Sequence, residues 1–365
     1  MIRLKMAVAA AAGAGVLAGG LAMPPAASAD TTQAVYAWGS NYGGQAGADP
    51  NIAGYRVLSP VPVHGAAANV TQLSGPNGPY KGRYVLSLRS DGTVWGWGRN
   101  YIGVLGDVSG STFTPVQIQG LPPNIVQISA GGIHAAALAA DGSVWTWGGN
   151  AHGQLGDGTH TDRTTPARNQ AGYGMTQVSA GGYIALARRA GSVWAWGAND
   201  NGELGLGTAG PAVRTPAKVP GLTGVTQLAA AAEISMALRS DGTLLVWGYE
   251  GFGLRGDGIP RSTPLPVPTP VTPVPGVTKI ALSGSTVLVR APVVTMPNVV
   301  GELRASAMGH LQAIGLSVQV STVPDKPICN NVGTVESQTP PPGTVVAPGG
   351  HATIRVYVPP PAGCL

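Results

Sequence analysis

The chain has 365 residues, enough for one large hydrophobic core or two smaller ones. It contains 56 glycines and 32 prolines, and only 10% of its residues are charged, a composition rich in tight turns that predicts an all-β fold and excludes a mainly helical one. The formal net charge of +5 is small and scattered, which argues against nucleic acid as a partner.

Residues 1–29 are predicted to be an export signal peptide. A basic start with Arg3 and Lys5 is followed by small and apolar side chains as far as Ala22, and Ala27-Ser28-Ala29 is a small-residue cleavage pattern. The apolar run is short and rich in alanine and glycine, which favours a cleaved signal over a membrane anchor. No later stretch is predicted to span a membrane. We therefore expect the mature chain to be secreted.

Residues 34–291 are organised by a repeat with a period of about fifty residues. Each centre is followed by a glycine-rich turn, a Thr-Pro or Ser-Pro, and two further short apolar segments that turns separate. Each unit therefore predicts about four short strands, which is the anatomy of a propeller blade. The five centres are VYAWGSN, VWGWGRN, VWTWGGN, VWAWGAN and LVWGYE, which begin at residues 35, 94, 144, 193 and 245.

All eight tryptophans fall in these centres. Alternate residues of a strand share a face, so the two tryptophans of one unit, such as Trp145 and Trp147, are predicted to point the same way. Their repetition favours core packing between blades over the alternative, a sugar-stacking platform. The Asp-Gly pairs of the units are predicted to form tight hairpins in which glycine has a positive φ.

The repeat also carries a family resemblance. The combination V-W-x-W-G-x-N-x-x-G-Q-L-G-D-G-T, then Thr-Pro, then A-G-G-x-H-x-x-A-L-x-x-D-G, as written across Ile125 to Pro166, resembles the regulator of chromosome condensation repeat. The resemblance implies a β-propeller whose faces and loops bind other proteins.

The two ends of the repeat region predict how the propeller closes. The chain enters the repeat in the middle of a unit and leaves it with the missing half, which predicts one composite blade that closes a five-bladed ring. Members of the resembled family usually have seven blades. The stretch 260–275, which contains seven prolines, is predicted to be an extended surface loop.

Residues 293–358 have a different pattern and predict a small α+β domain. The motif V-T-M-P-N-V-V-G at 294–301 precedes a helical stretch at 305–314 and two further strands. Together with S-Q-T-P-P-P-G-T at 337–344, the motif resembles the PASTA domain of penicillin-binding proteins and bacterial serine/threonine kinases. The resemblance implies recognition of uncross-linked peptidoglycan or related wall fragments. Residues 359–365 are a C-terminal tail.

The two cysteines, Cys329 and Cys364, both lie near the end of the chain. An exported protein meets an oxidising environment that permits a disulfide. We predict that the two cysteines pair, because a bridge would stabilise a small module with a marginal core.

Candidate catalytic and metal-binding groups are sparse. The tightest polar cluster offers nitrogen and oxygen atoms to a metal, but its aspartate belongs to the turn of the repeat and its histidines to an exposed loop, so no metal is expected. No phosphate-binding lysine follows the glycine-rich turns, and neither cysteine lies beside a base. No catalytic residue and no cofactor are predicted, and the protein is predicted not to be an enzyme. The cluster comprises His152, Asp157, His160 and Asp162.

A candidate partner site arises where the first complete unit departs from the repeat. Between Ser74 and Val85 it carries G-P-N-G-P-Y-K-G-R-Y in place of a short A-G-G turn, with aromatic and cationic side chains of the type favoured at interface anchors. The same turn of the other units is predicted to present side chains at the same rim. The alternative is a variable solvated loop. The predicted partner-binding residues are Tyr80, Lys81, Arg83, Tyr84, His134, Tyr183 and Glu233.

These features predict a secreted, non-catalytic, cell-wall-associated binding protein. Its PASTA-like module would bind peptidoglycan, and its propeller rim an unidentified protein or glycan. The alternative is a secreted inhibitor of a β-lactamase or related enzyme, since some exported bacterial propellers of the resembled family have that activity. Guanine nucleotide exchange, the activity of the family's namesake, conflicts with export.

Overall fold

The computed structural model describes residues 34–49, 55–66, 69–76, 82–251, 253–259, 261–271, 274, 276–326, 329–346 and 350–363. The predicted export signal lies outside these residues. In the described ranges, no helix is both long enough and apolar enough to cross a membrane.

The region up to residue 290 consists of six antiparallel sheets that follow one another along the chain. A two-stranded sheet comes first and another comes last, and each of the four sheets between them has four strands in chain order, as predicted for propeller blades. We call the two-stranded sheets half-blades. The first half-blade is formed by β1 (Tyr36–Ser40) and β2 (Arg56–Pro62), and the last by β19 (Lys279–Ser283) and β20 (Thr286–Arg290).

The four complete blades have the following strands. Blade 1 comprises β3 (Val70–Ser74), β4 (Tyr84–Arg89), β5 (Val94–Gly98) and β6 (Thr112–Gln117). Blade 2 comprises β7 (Ile125–Ala130), β8 (His134–Ala139), β9 (Val144–Gly148) and β10 (Arg163–Arg168). Blade 3 comprises β11 (Gln177–Ala180), β12 (Ile184–Arg189), β13 (Ser192–Gly197) and β14 (Val213–Lys218). Blade 4 comprises β15 (Val225–Ala231), β16 (Ile234–Arg239), β17 (Leu244–Tyr249) and β18 (Pro264–Pro270).

The second and third strands of blades 1, 2 and 4 are joined by the predicted Asp-Gly hairpins, and those of blade 3 by Ala190-Gly191. Gly142 has a φ of 78°, a left-handed conformation that glycine adopts without steric cost. Asp141 accepts a hydrogen bond from the backbone N–H of Ser143 at 2.9 Å, which closes the turn.

The first strands of successive blades are connected by a ladder of glutamine side chains. Gln127 of blade 2 donates from Nε2 to the carbonyl of Val178 in blade 3 at 3.0 Å, and Oε1 of the same side chain accepts the N–H of Val178 at 3.0 Å. A glutamine amide satisfies both backbone groups because it carries a donor and an acceptor. Gln72 and Gln177 make the equivalent pairs, whereas Gln227 donates to the carbonyl of Thr278 and accepts the N–H of Ile280, and Lys279 stands at this position in the last half-blade.

The second tryptophan of each complete blade is buried against the preceding unit, as the repeat predicts. Trp196 donates from its indole nitrogen to the carbonyl of Gln154, and Trp147 donates to the carbonyl of Val104, both at 2.9 Å. The first tryptophans are half-buried, and Arg189 covers the ring of Trp194 at 4.6 Å. The buried rings therefore fill the space between blades.

The predicted composite closure blade is not formed, and this part of the prediction is wrong. β1 pairs only with β2, β20 pairs only with β19, and no backbone hydrogen bond joins the two half-blades in the residues that the structure describes. Each half-blade instead packs on its neighbouring complete blade, Ala37 against Val85 and Trp97, and Leu282 in the core of blade 4. Matching halves in the sequence do not determine whether the curvature of the row brings its ends together.

The proline-rich stretch 260–275 is only partly a loop, which corrects a second prediction. Its central part forms β18, the fourth strand of blade 4, and Leu245 pairs with Pro270 while Gly248 pairs with Leu265. Proline has no N–H to donate, but an outer strand has one edge that no neighbouring strand needs.

The C-terminal module is a separate α+β unit, and its nine buried core residues all come from positions 296–356. β22 runs parallel to β25, and β23 pairs with β25 on its other side in the antiparallel sense. Its elements are β21 (Val294–Thr295), α1 (Arg304–Ala313), β22 (Ser317–Pro324), β23 (Val335–Thr339), β24 (Val345–Val346) and β25 (His351–Val358).

Candidate binding rim of the propeller

At one end of the blades, the turn before the second strand of each blade meets the loop after the third strand of the preceding unit. We call this end the rim. The residue just before the second strand is Arg83, Ile133, Tyr183 or Glu233 in blades 1 to 4. In blades 1, 3 and 4 this side chain contacts the preceding unit's loop: Arg83 lies on Tyr42, Tyr183 on His152, and Glu233 on Asn201.

Two of the residues predicted to present their side chains at the rim lie one position after the rim residues and are buried. For these two, the predicted exposure at the rim is wrong. Tyr84 and His134 begin the second strands of their blades and are 1% and 0% exposed. Side chains alternate along a strand, so a shift of one residue moves a side chain from the surface to the core. The hydroxyl of Tyr84 lies 2.6 Å from the carbonyl oxygen of His134, and burial raises the pKa of Tyr84 far above its usual range.

Burial also determines the protonation of His134. Removal of the imidazole from water lowers the pKa of His134 to about 4, so the ring is neutral at physiological pH. A neutral buried ring of this kind is part of the core between blades and has no contact with solvent.

Tyr80 and Lys81 lie outside the described residues, and Arg83 is the rim residue that follows them. Arg83 lies over the ring of Tyr42, with its guanidinium carbon 5.0 Å from the ring centroid. Tyr42 stacks on Tyr55 with ring centroids 4.7 Å apart. Both tyrosines are exposed. They form an aromatic and cationic end of the rim that the sequence pattern did not reveal, because the two tyrosines lie at opposite ends of the long connection between β1 and β2.

The other end of the rim holds a pocket with acidic side chains, which we call the acidic pocket. Its volume is about 100 Å³. The ring of His152 lies 4.7 Å from that of Tyr183, and Asn201 Nδ2 is 3.2 Å from Glu233 Oε2. Thus the structure brings together Tyr183 and Glu233, which were predicted, with residues that were not. The pocket is lined by His152, Tyr183, Ile184, Ala198, Asp200, Asn201, Glu203, Ala232 and Glu233.

Glu203 is the pocket residue that sequence reasoning missed. Its carboxylate accepts hydrogen bonds from the backbone N–H of Asn201 at 2.9 Å and from Asn201 Nδ2 at 3.3 Å. It is 1% exposed, and desolvation raises the pKa of Glu203. The corresponding residues of two other units are Gln45 and Gln154, whose side-chain oxygens make the same backbone contact. The signal in the sequence that could have identified Glu203 is the replacement of glutamine by glutamate in this one copy of the repeat.

The acidic pocket is suited to a cationic group. Asp200, Glu203 and Glu233 line it, and no lysine or arginine does. A positively charged side chain that entered the pocket would therefore meet carboxylates with little competition from the protein's own cations.

The histidine and aspartate cluster considered for a metal is dispersed by other contacts. His152 stacks on Tyr183, Asp157 binds Arg163 at 3.1 Å, and Asp162 accepts the N–H of Asn150 at 2.7 Å. In the described part of the chain, no group of three metal-ligating side chains converges.

Comparison with known protein families accounts for both modules. Residues 91–138, 141–188 and 190–238 match the regulator of chromosome condensation (RCC1) repeat, and a second model of this repeat matches residues 125–154. Residues 294–359 match the PASTA domain. The chain carries RCC1 repeats and a PASTA domain. The RCC1 matches lie within the predicted propeller region, and the boundaries 34–291 and 293–358 stay predictions.

Solved structures support an RCC1-type β-propeller. Human WBSCR16 is 22% identical with a TM-score of 0.60, and the alignment covers 70% of this chain and 71% of that one. Yeast RCC1 (Prp20) in its complex with Kap60 is 23% identical with a TM-score of 0.59, and coverage is 68% of this chain and 60% of that one. This chain thus spans less than two thirds of the yeast protein. At these identities the likeness shows the fold alone, and no curated protein sequence matches the chain.

Proposed function

We propose that this chain is an exported, cell-wall-associated binding protein without catalytic activity. Its PASTA domain binds peptidoglycan or related wall fragments, and the rim of its RCC1-type propeller binds a second macromolecule, a protein or a glycan. One observation carries the proposal: the second tryptophans that the repeats share are buried, whereas Arg83, Tyr183 and Glu233, which differ between units, lie at the rim of a chain that also carries a PASTA domain.

The two ends of the rim support a partner with a mixed charge pattern. The end at Tyr42, Tyr55 and Arg83 offers aromatic faces and a guanidinium, which are suited to apolar, aromatic or anionic groups. The end at Glu203 and Glu233 offers carboxylates to a cation. Complementary charge at two points fixes orientation as well as affinity.

Several contacts support a role in binding and not in catalysis. His134, whose pKa is lowered by burial, lies in the core between blades and cannot reach a substrate. Glu203 is held by Asn201, and no nucleophilic hydroxyl or thiol lines the acidic pocket except the phenol of Tyr183. A nucleophile adjacent to a base is the arrangement that acyl or phosphoryl chemistry needs. We also propose that this chain is not a guanine nucleotide exchange factor, because the predicted export would separate it from a nucleotide-binding partner inside the cell.

Co-sedimentation with purified peptidoglycan tests the role of the PASTA domain. Three proteins are compared: the full chain, a chain that ends at Arg290, and the isolated region 292–365, whose core residues are its own. We expect the full chain and the isolated region to pellet with the wall material, and the propeller alone to remain in solution. If the propeller alone pellets as well as the full chain, the PASTA domain is not the wall-binding part.

Site-specific photo-crosslinking in the native secretion medium tests the rim. A benzophenone amino acid replaces Tyr183 in the full chain, and in a matched control it replaces Tyr173, an exposed tyrosine near the Asp-Gly turn at the other end of the blades. We expect a crosslinked partner from position 183 only, which protease and glycosidase digestion then identifies as protein or glycan.

Capture of a β-lactamase would instead support the alternative function, inhibition of that enzyme. Equal labelling from both positions would contradict a rim site.

A further inference from the structure

The last half-blade leaves a groove beside blade 4, which we call the terminal groove. It has a volume of about 430 Å³. One wall is β20, with Val287 and Val289, and the other is the loop of blade 4, with Leu254 and Gly256. Val271 closes the bottom with a further apolar surface.

In the inner blades, the same place beside the loop is filled by a tryptophan of the next blade. Trp196 donates to the carbonyl of Gln154 and lies so close to Gly156 that a Cβ there would be 2.8 Å from the indole nitrogen. Trp247 lies equally close to Gly205, at 2.9 Å. Side chains at Gly156 and Gly205 would collide with the rings, so in the loops of blades 2 and 3 an indole packs directly against the glycine.

The loop of blade 4 has the same backbone turn, but Arg255, which pairs with Glu250, stands in place of the buried Leu155 and Leu204, and the described residues that line the groove include no tryptophan. The backbone N–H of Gly256 bonds to the carbonyl of Gly253, as Gly205 bonds to Gly202. Gly256 has a φ of 65°, similar to the 70° of Gly205, but among the described residues no atom lies within 4 Å of the place that its Cβ would take. The terminal groove thus leaves open at Gly256 the space that an indole occupies at Gly156 and Gly205.

The strand beside the groove also has an unpaired edge. In blade 4, Ala237 of the second strand pairs with Leu245 of the third, and Ser235 pairs with Trp247. β20 is the second strand of its half-blade and, among the described residues, no third strand pairs with it; Leu288 on it is 50% exposed. An open edge with apolar side chains is a template for another strand.

The chain contains a matching third strand at its other end. The sequence V-Y-A-W-G-S-N at 35–41 corresponds to the third strands of the complete blades, and β1 pairs only with its fourth strand, β2. Trp38 is half-buried, whereas the other second tryptophans of the motif, Trp97, Trp147, Trp196 and Trp247, are at most 1% exposed. Trp38 thus lacks the full burial that this position has elsewhere.

We propose that β1 of a second copy of this chain pairs with β20 and places Trp38 in the terminal groove. By the register of blade 4, Tyr36 of one copy lies opposite Val289 of the other, and Trp38 lies opposite Val287. Within one molecule, β1 and β20 are held on the first and last complete blades by different hydrophobic cores. The contact joins two different surfaces, so it links copies head to tail.

Disulfide trapping between separately purified variants of the full chain tests the pairing. Tyr36→Cys and Val289→Cys are chosen because both side chains are exposed, and Arg56→Cys on β2 is the matched control because it lies on the strand beyond β1. Mixing Tyr36→Cys with Val289→Cys under mild oxidation is expected to give a covalent dimer, and mixing Arg56→Cys with Val289→Cys is expected to give no more than the unmodified chain. Equal dimer yields from the two mixtures, or none from either, would overturn the proposal.

The double variant Tyr36→Cys/Val289→Cys separates association from closure of a single chain. An intramolecular crosslink at high dilution, without dimer formation in the mixing experiment, would assign the groove to the molecule's own β1 and overturn the second-copy proposal.

A further measurement is the sedimentation of the variant Val289→Lys, which places a charge on an already exposed edge position. We expect its association to be weaker than that of the unmodified chain by about tenfold or more, and unchanged association would contradict the proposal.

Discussion

Trp196 donates a hydrogen bond from its indole nitrogen to the carbonyl oxygen of Gln154, 2.9 Å away in the loop of the preceding blade. The same relationship joins Trp147 to Val104 and Trp97 to Gln45. Blades 1 to 3 are thus each fixed to the preceding unit by a large ring whose polar atom is satisfied inside the core.

Replacement of Trp196 by alanine is expected to destabilise the propeller by about 3–5 kcal/mol, because it opens a cavity and removes a buried hydrogen bond. Trp194→Ala is the matched control, since Trp194 is half-buried under Arg189, and its expected cost is about 1–2 kcal/mol. Urea unfolding followed by circular dichroism measures both. Equal losses would mean that the second tryptophan is not the principal contact between blades.

The buried imidazole of His134 makes stability depend on pH. Its pKa is lowered to about 4 in the folded chain, so the unfolded chain binds more protons between about pH 4 and 6.5. The free energy of unfolding therefore falls as the pH is lowered through this window, by about 3 kcal/mol for this group. The variant His134→Ile, with the residue type of Ile184 and Ile234 in the next blades, is expected to lose this part of the dependence. Identical pH profiles of urea unfolding for both proteins would refute the assignment.

Glu203 is expected to reduce stability at neutral pH. Burial raises the pKa of Glu203, so the folded chain binds the carboxyl proton more tightly than the unfolded chain does. The free energy of unfolding therefore falls as the pH rises above the pKa that this carboxyl has in the unfolded chain. Glu203→Gln restores the residue type of Gln154 and is expected to be more stable at pH 7 by on the order of 1 kcal/mol. The gain should vanish below about pH 4, where both states are protonated.

The experiment on Glu203→Gln has a converse control in Gln154→Glu, which places a carboxylate at the equivalent buried position. Gln154→Glu is expected to lower the melting temperature at pH 7. If Glu203→Gln is less stable than the unmodified chain, the carboxylate has a stabilising contact in the folded state that outweighs its desolvation.

In the PASTA domain, the side chain of Gln338 stabilises the turn after β21 by hydrogen bonds to its backbone. Its Oε1 accepts the N–H of Val299 and its Nε2 donates to the carbonyl of Pro297, both at 2.7 Å. Gln338→Leu leaves both groups without this partner, and we expect a loss of about 1–3 kcal/mol in the isolated domain. Gln319→Leu on the exposed face of β22 is the control and is expected to change stability little. Thermal unfolding of residues 292–365 distinguishes the two variants.

The pairing of Cys329 with Cys364 stays a prediction, because Cys364 lies outside the described residues. We expect the exported protein to show no reactive thiol under denaturing, non-reducing conditions. Reduction is expected to lower the stability of the PASTA domain by about 2–4 kcal/mol without changing the unfolding of the propeller. Two thiols that react without a reductant would contradict the pairing.

Much of the fold follows from the sequence because it repeats. The paired tryptophans, the Asp-Gly turns and the period predicted four-stranded blades, and the helix predicted for 305–314 is observed at Arg304–Ala313. The strand β18 was missed because four alternating prolines are unfavourable inside a sheet, and only its place at the outer edge of blade 4 makes them acceptable.

The site was less predictable for a different reason. Tyr183 and Glu233, predicted to lie at the same rim, line one pocket, but His134 was aligned with Tyr183 when it corresponds to Ile184. A shift of one residue along a strand exchanges surface for core, and a sequence pattern does not fix the register to one residue where a turn varies in composition.

The sequence alone determined the repeating blade, the buried role of its tryptophans and the nature of the second domain, because these depend on local periodicity and turn chemistry that every unit repeats. Only the tertiary structure decided that the half-blades stay apart, that Glu203 joins Glu233 at the rim, and that a groove lies beside β20. Those features depend on how successive units are oriented in space, which no single unit encodes.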